Sequence, residues 1–229
     1  MSVYDDTEPI DLSRVNTYEL ASRPSKVTAA DLAKPPAEGD SLADFFAKLP
    51  DVLAVRSMRE VAAAIRRARD LGKPIIWGIG GHVIKTGLSP VLIDLMDRGF
   101  VTALASNGSV LVHDTEMALV GFTSEDVDAT LGSGDFGAAR ETGELLNSAA
   151  KRAAADGIGL GESMGRELAG LAPANAAISL LCSAYAKRLP FTAHLTIGAD
   201  IGHFHASCDG AGLGAASHHD FRLFCTLVQ

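Results

Sequence analysis

Short apolar runs that end in glycine, each followed by a helical segment, recur through most of this chain and constrain its fold more than any other feature. KPIIWG (73–78) reads as a buried strand and runs into the glycine turn IGGH. Ser89-Pro90 then opens a helix over PVLIDLMDRG. VTALAS (101–106) reads as the next strand and ends in the turn NGS, with Thr115–Val120 helical after it. Pro190–Ile197 reads as a third strand behind a helix over Ala176–Lys187. Strands that alternate with helices need crossover connections, and these give a mostly parallel sheet. The expected fold is therefore α/β, doubly wound and Rossmann-like.

Other elements follow from local signals. VLAV (52–55) reads as a short strand, and Ser57 with Glu60 forms a capping box for a helix through Leu71, which Gly72 ends. TSEDVDATL (123–131) opens on a capping pattern, residues 137–155 read as an Ala-rich helix, and Gly157–Gly165 reads as a glycine-rich break. The apolar run Phe221–Val228 reads as an edge strand, and the architecture looks incomplete where the chain stops at Gln229. Residues 1–50 hold five of the nine prolines. They are expected to form either an arm with a short helix near Ser41–Lys48, wrapping the domain or a partner, or a disordered tail. Residues 51–229 form the main domain.

Charge and cysteine usage narrow the function. The net charge is −8 with no basic cluster, which argues against nucleic-acid binding. No apolar run reaches membrane-spanning length, and the acidic start MSVYDDTEPIDLS lacks the core of a signal peptide. Three cysteines without a CxxC read as reduced thiols in a cytoplasmic protein.

The candidate site residues lie just past the strands. His194–Asp220 holds five of the seven histidines, three aspartates and five glycines. His203 and His205, flanked by Asp200 and Asp209, have donor types suited to a metal ion, and a histidine there also suits general-base chemistry. Gly80, Gly81 and His82 at the first turn, and Asn107 and Gly108 at the second, let backbone N–H groups approach a nucleotide. His113 and Asp114 follow the second turn, where an acid can accept from ribose hydroxyls.

The stretches GIGGHVIKTGLSP (78–90), ASNGSVLVHDTEMALVG (105–121) and SLLCSAYAKRLPFTAHLTIGADIGHFH (179–205) resemble deoxyhypusine synthase-like proteins, from about Lys73 to the C-terminus. The resemblance implies NAD as cofactor, a doubly wound sheet and a homotetramer. It places Gly80, Gly81, His82, Asn107 and Gly108 at the nucleotide, with Asp200 near the cofactor and His203 near the second substrate. His113-Asp114 with Glu116 stand where that family has paired glutamates. Its catalytic lysine and a glycine-rich cofactor loop have no counterpart, which argues against deoxyhypusine synthesis itself. The expectation is an NAD-dependent transferase acting on an amine or other small substrate, with His203, His205 and Asp200 catalytic. Two alternatives stand beside it. One is a metal-dependent hydrolase built on the same histidines, and the other a non-catalytic truncated paralogue.

Overall fold

The computed structural model describes residues 7–229, and the first six residues of the acidic start lie outside them. The chain divides into two compact units, one reaching to Ala62 and the other spanning Ala63–Gln229.

The first unit is held by polar contacts. None of its described residues is buried. Helix α1 (Leu42–Lys48) is fixed at its start by Ser41 and Asp44, each accepting the other's backbone N–H, a reciprocal arrangement that satisfies two orphan donors. Arg56 pairs with Asp31 at 3.1 Å and Arg59 with Asp51 at 3.0 Å. The strand expected at 52–55 is not formed. Helix α2 runs Leu53–Asp70, so Ser57 lies inside it rather than at its cap.

The second unit contains a sheet of three parallel strands, β1 (Ile76–Ile79), β2 (Ala103–Ser106) and β3 (Phe191–Ala193). Ile76 pairs with Ala103 and Ser106 with Ala193, in the order β1-β2-β3. The parallel α/β expectation therefore holds. A doubly wound sheet reverses its strand order, and among the described strands no reversal occurs.

Between the strands lie α3 (His82–Lys85), α4 (Ser89–Asp97), α5 (Gly108–Val120), α6 (Val127–Thr130), α7 (Arg140–Asp156), α8 (Leu160–Gly170) and α9 (Leu180–Ala186). Helix α10 (Gly210–Val228) follows β3. The core is aliphatic, with Leu104 of β2, Leu111, Leu160, Met164, Leu180 and Leu213 fully buried.

Two expectations about the second half are corrected. Gly157–Gly165 is largely helix, because its glycines permit close approach. A Cβ on Gly161 would lie 1.9 Å from the Phe191 carbonyl oxygen, so α8 sits against β3 only with glycine there. Phe221–Val228 is the end of α10, not a strand. That helix closes the outer edge of β3 with its side chains. Asp220 accepts the Ala193 N–H at 2.9 Å, and Ser217 accepts the Leu195 N–H at 2.9 Å while donating to the Ala193 carbonyl at 3.1 Å.

Candidate functional site

The carboxyl ends of parallel strands are where α/β folds bind ligands. Here the segments following β1, β2 and β3 meet around a cavity of about 340 Å³. Lys85 lies beyond β1, Gly108, Ser109, His113 and Glu116 come from α5 after β2, and Leu195, Asp200 and His203 follow β3. The far wall is Glu125, Phe136, Gly137, Thr142 and Gly143.

The two glycine turns pack on each other. The Gly81 N–H donates to Ser109 Oγ at 3.1 Å, and the Ser109 hydroxyl donates to Asn107 Oδ1 at 2.9 Å. A Cβ on Gly81 would lie 2.6 Å from Ser109 Oγ and 2.8 Å from the His113 ring, so glycine is required for this fit. Gly108 begins α5, whose amino end carries partial positive charge. A Cβ there would lie 2.7 Å from Asp200 Cγ, which places the Asp200 carboxylate against that helix end.

The loop after β3 ties itself together. The Thr196 N–H donates to Asp200 Oδ2 at 3.3 Å, and the Gly198 N–H donates to His203 Nδ1 at 3.0 Å. His203 Nε2 is buried without a hydrogen-bond partner. His205 fills the space left by the missing side chain of Gly143, and its Nε2 bonds the Gly137 carbonyl at 3.1 Å.

On α5, His113 and Glu116 share one face. His113 Nδ1 lies 2.7 Å from Thr123 Oγ1, the Thr123 hydroxyl donates to Glu116 Oε2, and Thr142 Oγ1 lies 3.3 Å from Glu116 Oε1. Burial alone would raise the Glu116 carboxyl, but the adjacent His113 ring and the hydroxyls of Thr123 and Thr142 outweigh it and hold the group below the usual range.

The structure thus gathers Gly108, His113, Asp200, His203 and His205 around one cavity, with Gly80, Gly81 and Asn107 in the turns behind it. His82 is exposed at the start of α3, away from the lining. Asp114 has another task. It is fully buried and accepts from Ser179 Oγ at 2.6 Å, Leu180 N at 2.8 Å and Leu181 N at 2.9 Å, so it caps α9 rather than facing a ligand. Lys85, Glu125 and Thr123 were missed by sequence reasoning. Thr123 and Glu125 lie in a loop without periodicity, and only the His113/Glu116 spacing of three signalled a shared helix face.

No group of three or more His, Cys, Asp or Glu among the described residues is placed to hold a metal. Asp209, expected as a ligand, instead caps α10 by accepting the Ala211 N–H at 3.1 Å. The metal-dependent hydrolase is therefore set aside.

A parallel sheet with glycine turns opening on such a cavity defines a Rossmann-like α/β protein. Residues 59–145 match the family described as arginine dihydrolase ArgZ-like, C-terminal, Rossmann fold. The bifunctional arginine dihydrolase/ornithine cyclodeaminase ArgZ of Synechocystis sp. is 35% identical over 91 residues, which are 40% of this chain and 13% of that protein. AgrE of Nostoc sp., also a bifunctional arginine dihydrolase/ornithine cyclodeaminase, is 33% identical over 91 residues, with the same coverage of 40% and 13%. The chain thus aligns with about an eighth of the length of these curated relatives. The crystal structure of apo ArgZ, an arginine dihydrolase from the ornithine-ammonia cycle in cyanobacteria, superposes with a TM-score of 0.46 at 20% identity, covering 78% of this chain and 23% of that one.

The family match and the sequence similarity to ArgZ and AgrE overturn the deoxyhypusine synthase resemblance, and with it the expected transferase chemistry and the basis for a tetramer. Strands and glycine turns in a similar order do not by themselves carry chemistry. The edge strand that the truncated-paralogue reading placed at Phe221–Val228 is the end of α10. The matched segment holds both glycine turns, His113, Glu116 and Thr142, and the loop bearing Asp200 and His203 lies beyond it. Among the described residues no helix is long and apolar enough to cross a membrane.

Proposed function

We propose that this chain carries the nicotinamide dinucleotide site of an ArgZ-type ornithine cyclodeaminase. The observation that carries the reading is the pair of glycine turns at adjacent parallel strands, both in the segment that matches the ArgZ-like Rossmann fold, with Gly108 of the second turn lining the cavity. Of the two activities named for the relatives, cyclodeamination is the one that suits such a fold. Loss of ammonia with ring closure is redox-neutral overall, and it proceeds readily when the carbon bearing the amine is oxidised and then reduced again. Hydrolysis of a guanidinium group needs no redox partner. When bound, the dinucleotide supplies a hydride acceptor and donor.

The residues fit that group. Gly81 lets the first turn close on Ser109 and His113, and Gly108 lets the amino end of α5 close on Asp200, where a Cβ would clash. Asp200, poised against Gly108, accepts ribose hydroxyls better than it tolerates phosphate. His203 and His113 contact the small substrate beside the cofactor, and His205 holds the far wall through Gly137. The free thiols of Cys182, Cys208 and Cys225 agree with work in a reducing cytoplasm.

Calorimetry of the whole chain with NAD⁺ tests the reading. Micromolar binding is expected, on the order of −8 kcal/mol, with a change in the fluorescence of Trp77 one residue before Gly78. Gly108→Ala should weaken binding about tenfold, roughly 1.4 kcal/mol, because its methyl would press on the Asp200 carboxylate. A folded wild-type chain that binds no NAD⁺ would overturn the proposal.

A further inference from the structure

The hydrogen bonds around two of the three cavity histidines determine which ring nitrogen of each carries the proton. His203 Nδ1 accepts the Gly198 N–H at 3.0 Å. A ring nitrogen that accepts an amide proton holds none of its own, so the proton of His203 sits on Nε2. That Nε2 is buried, unpartnered, and part of a residue lining the cavity.

His113 has the opposite arrangement. Glu116 is held ionised by its surroundings, so its oxygens only accept. The Thr123 hydroxyl has a single proton and directs it to Glu116 Oε2. It can therefore only accept from His113, and the 2.7 Å contact is a bond donated by Nδ1–H. Neutral His113 then carries its lone pair on Nε2. Glu116 Oε2 lies 3.8 Å from His113 Nδ1, close enough to offset the charge of an imidazolium.

We infer that His113 and His203 are a base and an acid fixed in opposite tautomers on one cavity, His113 presenting a lone pair and His203 a proton. The inference rests on that cavity being the ligand site proposed above. It suits a ligand that carries an ionisable N–H or O–H beside an acceptor oxygen. The ligand proton passes to His113 Nε2, giving an imidazolium that faces Glu116, while the His203 Nε2–H donates a hydrogen bond to the ligand oxygen. Thr123 is a positioning residue, because it acts only by setting the tautomer of His113.

Long-range ¹H–¹⁵N spectra of the labelled whole chain, recorded at about pH 8, distinguish the two tautomers directly. His113→Gln and His203→Gln assign the signals by their loss. The expected result is an Nδ1–H pattern for His113 and an Nε2–H pattern for His203, without any ligand. Thr123→Val should move His113 to the Nε2–H form, and Thr123→Ser should keep it. A wild-type His113 in the Nε2–H form overturns the inference, and this spectrum decides the matter even where the valine variant does not fold.

Ammonia release from L-ornithine with NAD⁺ gives the second readout. Thr123→Val should lower kcat about tenfold or more at unchanged KM, and the serine variant should restore it. Equal kcat in all three proteins overturns the inference. A wild-type chain that releases no ammonia overturns the cyclodeaminase reading instead, and the spectra still judge the histidine pair.

Discussion

Asp114 and Glu116 stand two residues apart on the same helix, and they belong to two different regions of the molecule. Asp114 looks inward, and its oxygens take a serine hydroxyl and two amides at the start of α9. Glu116 looks into the cavity and takes side-chain hydroxyls from Thr123 and Thr142. The same contrast separates the outer edge of β3 from the carboxyl ends of the strands. At the edge, Asp220 and Ser217 satisfy backbone groups. At the cavity, His203 takes the Gly198 N–H on Nδ1, and its buried Nε2 has no partner. A polar group committed to main-chain amides holds the fold, and one with a free valence facing a cavity is available for chemistry.

The contrast is broken most directly at Asp114. Asp114→Ala leaves two amides and a hydroxyl without a partner in the core, each costing about 1–3 kcal/mol. Stability should fall by about 3 kcal/mol or more, read from the denaturant midpoint. A loss below about 1 kcal/mol would show that Asp114 does not cap α9.

Asp220 sharpens the comparison through pH. Burial pushes its carboxyl up to about 6, against the amides of Gly161, Ala193 and Leu160, which favour the charged form. The folded protein therefore holds this proton more tightly than the unfolded chain does. Stability from this group is present below the ordinary aspartate range and is lost as pH rises from about 4 to about 6, by about 3 kcal/mol in all. Asp220→Asn should remove that slope while retaining an oxygen for the amides. An unchanged pH profile would place the ionisation elsewhere. Glu116 contributes with the opposite sign, stabilising above the usual glutamate range and losing that contribution in acid.

The smallest of these effects is at the helix contact. Gly161→Ala sets a methyl against the Phe191 carbonyl and should cost about 1–3 kcal/mol. An unaltered melting temperature would mean that α8 moves freely away from β3.

The sequence made one of these regions much easier to read than the other. β1 and β2 announce themselves as apolar runs stopped by glycine, and the turns at Gly80-Gly81 and Gly108 lie where those runs end. His113, Asp200 and His203 were singled out because titratable side chains among glycines after a strand have few structural uses. The surroundings of β3 are harder to read. Phe221–Val228 is a continuous apolar run, and such a run does not by itself tell strand from helix. Its helical phase lies upstream, where Gly212, Leu213, Ala216 and Asp220 are buried on one side of α10. Gly157–Gly165 looked like a break because glycine usually is one, but here its missing side chains let α8 approach β3. Nor does the sequence fix the rotation of α5, so Asp114 and Glu116 were equally eligible to face a ligand.

The closure of β3 by α10 also bears on how copies of this chain behave at high concentration. An unprotected strand edge recruits other strands, and aggregation commonly begins there. Beside β3, the Ala193 N–H, the Ala193 carbonyl and the Leu195 N–H are already bonded to Ser217 and Asp220. An intruding strand would have to displace a 19-residue helix before it found a free donor. The few hydrogen bonds that end the sheet at β3 thus also serve as a barrier against self-association on that side.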